Sequence, residues 1–162
     1  MTTTPPPSFR IGHGYDLHRL QPGGTLMLAG VAVSTDLSPI SHSDGDVVLH
    51  ALVDAILGAL GKGDIGEHFP DTDPKWKGAP SRLFLEHACN LAKDAGYQIA
   101  NADITILAER PRLKPFKPQM TSTLAALLDA PVNIKAGTNE KVDAIGQGQA
   151  IAAHAVVLLA RA

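Results

Sequence analysis

The stretch Ser41-His42-Ser43-Asp44-Gly45-Asp46-Val47-Val48-Leu49-His50, with the run that continues it to Leu60, decides how this chain folds. From Val47 to Leu60 nearly every residue is apolar: Val47, Val48, Leu49, Ala51, Leu52, Val53, Ala55, Ile56, Leu57, Ala59 and Leu60. A helix that is apolar all round lies inside a core. The exceptions, Asp46, His50 and Asp54, are spaced by four and share one stripe. Ionisable groups buried there need ion pairing, hydrogen bonds or a metal ion. Ser43 or Asp44 is placed to cap the helix, and Gly61 to stop it.

Working outward, residues 10–20 read as a strand on which Asp16 and His18, two apart, project from the same face. Residues 26–29 and 31–33, hinged at Gly30, read as a hairpin, and residues 36–43 as a loop broken by Pro39. Gly61-Lys62-Gly63-Asp64-Ile65-Gly66 is a literal G-x-G-x-x-G, but it closes a helix, whereas a dinucleotide fingerprint follows a strand and opens one. A carboxylate-rich loop continues through Phe69-Pro70-Asp71-Thr72-Asp73. A second helix is predicted from Pro80 or Ser81 to Ala95, ending at Gly96. Residues 97–108 read as a strand, 109–115 as a basic, proline-stiffened loop, 118–128 as a helix and 132–136 as a strand. Residues 137–141 form a polar turn and 146–148 a flexible joint, and the apolar segment 150–160 fits a strand or a buried helix. Strands alternating with helices predict an α/β (α+β) fold, one sheet with helices packed on it.

A chain of 162 residues holds one domain with a real core. We expect a disordered tail over residues 1–8 and a single domain over 9–162. A hydrophobic content of 44% and 19% charged residues are those of an ordinary globular protein. A net charge of −2 offers no basic footprint for nucleic acid. No apolar run is long enough for a membrane span, and the N-terminus has no signal-peptide pattern. The lone Cys89 sits in a helical pattern and fits core packing in a reducing cytoplasm.

Asp16, His18 and His50 are the sharpest candidate site. Two ligands two apart on a strand and a third on a helix can converge on one ion, and three protein ligands leave a fourth tetrahedral position open, as in catalytic zinc sites. The alternative is a core His50 bonded to Asp54 or Asp46, with Asp16 and His18 facing solvent. His42 and Ser43 fit either donation to an anionic group or helix capping. Asp64, Gly66, Asp71 and Asp73 fit a polyol or a second metal, or solvated loop carboxylates. Gly137-Thr138 followed by Glu140 fits an anion-cradling turn with a carboxylate for magnesium, or a plain β-turn.

Taken in register, Arg10-Ile11-Gly12-His13-Gly14-Tyr15-Asp16-Leu17-His18, His42-Ser43-Asp44-Gly45-Asp46, Gly63-Asp64-Ile65-Gly66 and Phe69-Pro70-Asp71-Thr72-Asp73 closely resemble the 2-C-methyl-D-erythritol 2,4-cyclodiphosphate synthases of the non-mevalonate isoprenoid pathway. The resemblance runs collinearly from about Arg10 to the end of the chain. It implies a homotrimer with active sites between subunits and a mixed sheet with helices on one face. It implies a CMP-releasing phosphorus–oxygen lyase acting on a cytidyl diphosphate substrate. By motif match it assigns Asp16, His18 and His50 to zinc or a similar transition metal. Glu140 falls to magnesium or manganese on the diphosphate, and His42 and Thr138 to transition-state stabilisation. Asp16, His18, His42 and Ser43 fall to substrate binding, and Asp64, Ile65, Gly66, Phe69, Pro70, Asp71, Thr72 and Asp73 to the methylerythritol phosphate within it. Ala108, Pro111, Arg112, Leu113, Lys114, Gly137 and Thr138 fall to the cytidine pocket. Where the family often carries an aromatic residue and an arginine facing the trimer axis, this chain has Ala144 and Gln147.

Overall fold

The first strand, β1 (Phe9–Pro22), carries glycine at two successive positions of its inner face, Gly12 and Gly14. Helix α1 (Val47–Leu60) lies directly over them: a Cβ at either residue would stand within 2 Å of a backbone carbonyl oxygen of α1, Ala55 for Gly12 and Ala51 for Gly14. The computed structural model describes residues 7–162.

Around this contact, β1 joins β4 (Leu37–Pro39), β5 (Tyr97–Leu107), β6 (Val132–Gly137) and β7 (Ala150–Arg161) in a five-stranded sheet of order β4-β1-β7-β5-β6. All pairings are antiparallel except β5 with β6, so the sheet is mixed. Helices α1, α3 (Ser81–Asp94) and α4 (Lys117–Leu128) pack on one face. The core between the layers holds Leu49, Leu52, Ile56, Leu85, Ile104, Ile106, Met120 and Leu124, all fully buried. β2 (Leu26–Leu28) and β3 (Val31–Ser34) form a separate hairpin that turns at Ala29 and Gly30. The other face of β1 turns outward Phe9, Ile11, His13, Tyr15 and Leu17.

Several local expectations need correction. The cap of α1 is Asp46, not Ser43 or Asp44. Its buried carboxylate accepts from the backbone N–H groups of Val48 and Leu49, and equally from Ala29 and Gly30 of the hairpin turn. Burial raises its pKa, opposed by the N–H donors of Gly30, Leu49 and Ala29. The loop expected over 36–43 contains β4, which exists because Leu20, Gln21 and Pro22 offer it a partner edge. The turns after residues 64, 73 and 142 wind into α2 (Ile65–His68), a 3₁₀ turn (Pro74–Trp76) and α5 (Asp143–Gly146), each too short to carry a periodic signal. Segment 150–160, open to two readings, is the central strand. Six residues of the tail expected over 1–8 lie outside the described residues; beyond them, Pro7 and Ser8 accept from the Tyr97 hydroxyl and the Arg161 N–H. Among the described residues no helix is long and apolar enough to cross a membrane.

Candidate functional site

The glycines that admit α1 also aim it. Asp16 and His18 follow Gly12 and Gly14 on the same face of β1, and His50 is the residue before Ala51 on α1. The three side chains therefore meet where the helix crosses the strand. Asp16 Oδ2 lies 3.0 Å from both His18 Nε2 and His50 Nδ1, and those nitrogens are 3.2 Å apart. The alternative pairing of His50 with Asp54 or Asp46 does not occur: Asp54 instead accepts from the Ile65 N–H.

The tautomer of His50 follows from its other neighbour. The Ser81 hydroxyl donates to Asp44, so its oxygen accepts from His50 Nε2 at 2.8 Å. With the proton on Nε2, the neutral ring presents the Nδ1 lone pair to Asp16 and His18, the arrangement that prepares histidine as a metal ligand. Burial by itself would raise the Asp16 pKa, but hydrogen bonds and positive charge from His18 and His50, when those rings are protonated and no ion is bound, outweigh it and hold the carboxyl well below the usual range. One carboxylate oxygen and two imidazole nitrogens facing a common point fit a zinc-type ion with a free coordination position.

This triad floors a cleft of about 510 Å³ whose walls include His42, Ser43, Ile65, Gly66, Phe69, Pro70 and Asp71. His42 Nε2 donates to the Asp73 carbonyl at 3.2 Å, tying the cleft's rim to the loop that follows α2. Ser43 Oγ accepts from the Gly45 N–H and lies 3.2 Å from His50 Nε2. Asp64, Thr72 and Asp73 do not line the cleft; Asp64 and Asp73 cap α2 and the 3₁₀ turn. Sequence reasoning missed Ile40, Ser41, Trp76 and Phe84 in the walls, and Ser81 and Asp44 behind His50. Phe84 carried only a core signal, and Ser81 only that of a helix start.

Ala108, Pro111, Arg112, Leu113, Lys114, Gly137 and Thr138 all line a second cavity of about 590 Å³, which shares no residue with the first. At its edge the Thr138 hydroxyl donates to Glu140 at 3.3 Å. Glu140 and Lys141 take φ of 52° and 62°, the left-handed region that non-glycine residues use sparingly and that concentrates at functional turns. Ala144 is exposed on α5, and the Gln147 amide turns back to donate to the Lys141 carbonyl at 2.7 Å. One chain thus brings the triad together with His42, and Thr138 with Glu140 and the basic loop, but does not join the two groups.

Fold and site define a mixed α/β protein with three side-chain donors able to hold a metal ion in one cleft and a separate cavity bordered by basic side chains. The family model described as the YgbB family matches residues 9–160. The 2-C-methyl-D-erythritol 2,4-cyclodiphosphate synthase of Geobacter metallireducens is 54% identical, over 94% of this chain and 99% of that protein. The chloroplastic synthase of Catharanthus roseus is 54% identical, over 95% of this chain and 66% of that protein, so the chain spans about two thirds of the plant relative. The solved structure of a synthase of the same name in its CDP-bound form superposes with a TM-score of 0.86 at 39% identity, covering 93% of this chain and 99% of that one. This chain belongs to the YgbB family, that of the 2-C-methyl-D-erythritol 2,4-cyclodiphosphate synthases.

Proposed function

We propose that the protein converts 4-diphosphocytidyl-2-C-methyl-D-erythritol 2-phosphate to 2-C-methyl-D-erythritol 2,4-cyclodiphosphate with release of CMP, as a CMP-releasing lyase in isoprenoid precursor synthesis. The observation that carries this reading is the Asp16–His18–His50 triangle at the floor of the first cleft, in a chain whose relatives bear that enzyme's name.

The substrate's own 2-phosphate is the nucleophile and attacks the β-phosphorus, so the chain needs no nucleophilic side chain. Its task is to fold the substrate back on itself and to meet the charge that gathers on the phosphate oxygens. Ile65, Gly66, Phe69, Pro70 and Asp71 hold the methylerythritol phosphate, Phe69 supplying an apolar wall, while Asp64, Thr72 and Asp73 shape the loops that carry them. His42 and Thr138 donate to phosphate oxygens. Ala108, residues 111–114 and Gly137 hold the cytidine, with Arg112 and Lys114 offering positive charge. Zinc or a similar ion held by Asp16, His18 and His50, and magnesium or manganese held with Glu140, supply Lewis-acid neutralisation when bound.

The reaction needs both cavities, and one chain keeps them apart. A homotrimer in which the second cavity of one subunit faces the first of its neighbour resolves this. The outward face of β1 supports such packing: Ile11 is 73% exposed and Phe9 63%, in a row with Tyr15 and Leu17. We read residues 9–162 as the single working domain. The lone thiol supports a cytoplasmic setting.

Incubation with the cytidyl substrate and magnesium, followed by phosphorus NMR, tests the reading. The cyclic diphosphate and CMP are expected. A linear phosphate with oxygen from water would make the protein a hydrolase.

A further inference from the structure

Beside the first cleft, but outside its chemistry, a second pair of histidines joins α2 to α3. His68 Nδ1 lies 3.3 Å from His87 Nε2, and His68 Nε2 lies 2.9 Å from the carbonyl oxygen of Lys62. A carbonyl only accepts, so His68 carries its proton on Nε2 and the neutral ring turns the Nδ1 lone pair toward His87. The His87 ring is itself steadied edge-on against Phe69, with centroids 5.3 Å apart at 82°. Burial and the neighbouring His68 both lower the His87 pKa, which favours its neutral form.

We propose that His68 Nδ1 and His87 Nε2 form a second metal site, distinct from the triad, for a divalent ion of the zinc, nickel or copper type. Two metal–nitrogen bonds of about 2.0–2.1 Å at a tetrahedral angle hold their nitrogens roughly 3.3–3.4 Å apart, so the pair already has the bite of such an ion. An imidazole fixed by a bond from its other nitrogen to a backbone carbonyl is the usual posture of a histidine ligand. Without an ion, His87 Nε2–H donates to His68 Nδ1. When an ion enters, that proton moves to Nδ1 of the same ring, and the freed lone pair binds, with no net proton release. Among the described residues no third histidine, cysteine or carboxylate completes the set, and nearby Glu86 is engaged with Arg82 at 2.6 Å. Water fills the remaining positions, and a donor set of imidazoles passes over magnesium and calcium. Because Phe69 stacks on Phe84 at 4.3 Å, an ion bridging α2 and α3 braces one wall of the first cleft.

The test titrates the metal-stripped full chain with Zn²⁺ against a chromophoric chelator, for the natural protein and for His68→Gln and His87→Gln. Far-UV circular dichroism verifies that both variants fold. Each variant is expected to bind one equivalent per chain fewer, or to bind it at least ~10-fold more weakly. Histidine ring nitrogen NMR of the natural protein should show Zn²⁺ shifting Nδ1 of His68 and Nε2 of His87. Identical isotherms for all three proteins, or a loss in only one variant, would overturn the site. A triad that binds no zinc would lower every isotherm by the same amount and leave this difference intact.

Discussion

The carbonyl oxygen of Ala51 fills the space beside Gly14 so closely that a Cβ on residue 14 would stand 1.9 Å from it. This contact sets the height of α1 above β1, and with it the distance of His50 from Asp16 and His18. The geometry of the three donors is therefore encoded partly in residues outside the triad.

Gly14→Ala should push α1 off the strand. Overpacking of this kind costs about 1–3 kcal/mol or more. We expect a lower urea midpoint together with weaker zinc binding, although every ligand is intact. Unchanged zinc affinity would show that His50 is placed by something else.

Asp16→Ala and His50→Ala each remove one of three donors. Zinc content should fall below stoichiometric, with CMP release reduced by more than about 100-fold. Ser81→Ala leaves the donors in place but frees the His50 ring, so an intermediate loss of roughly 10–100-fold in zinc affinity is expected. Zinc analysis and a CMP assay on the three variants order them. A Ser81→Ala protein equal to the natural one would remove Ser81 from the account.

Glu140→Gln should preserve fold and zinc and shift the magnesium dependence of activity to higher concentration, since an amide oxygen is a poor substitute for a hard anionic one. Superimposable magnesium curves would reject the role.

Asp46→Asn replaces a buried carboxylate whose two oxygens serve four backbone N–H groups. One amide nitrogen must then face at least one of those donors, at a cost of about 1–3 kcal/mol. Chemical denaturation measures it, and a loss near zero would mean that the hairpin and helix do not depend on this clasp.

Burial pushes the Cys89 thiol up to about 11. The folded state favours the neutral thiol, so this contribution to stability is whole below the unfolded-state pKa near 9 and is lost as pH rises toward 11. Modification by a thiol reagent should be slow at pH 8 and keep accelerating above pH 10. A rate that levels off near pH 9 would contradict the burial argument.

The sequence carries much of this site, unevenly. Helix α1 is legible because its apolar run leaves no other place for it, and the Asp16–His18 pair because strand residues two apart share a face. What the helix rests on is not legible, since Gly12 and Gly14 read equally well as flexibility. Ser81 stands 31 residues from His50 and becomes its partner only once α3 crosses α1. Strand β7 stays ambiguous because Ala152, Ala153 and Ala155 suit a helix as well as a strand; its neighbours β1 and β5 decide it. The two cavities are joined in sequence only by the family resemblance, and the folded chain holds them apart.

The central place of β7 also bears on how the protein is made. Phe9 pairs with Ala160 and Arg19 with Ala150, so β1 waits through nearly the whole chain for its principal partner. On the ribosome, β1, α1 and the Asp16, His18 and His50 side chains emerge long before the strand that completes the floor beneath them. Pairings this distant in sequence are slow to close, and the exposed edge of β1 is open to other strands meanwhile. A nascent chain stalled before residue 150 should be held by chaperones and degraded readily, and its metal donors should assemble only after β7 has been released from the exit tunnel.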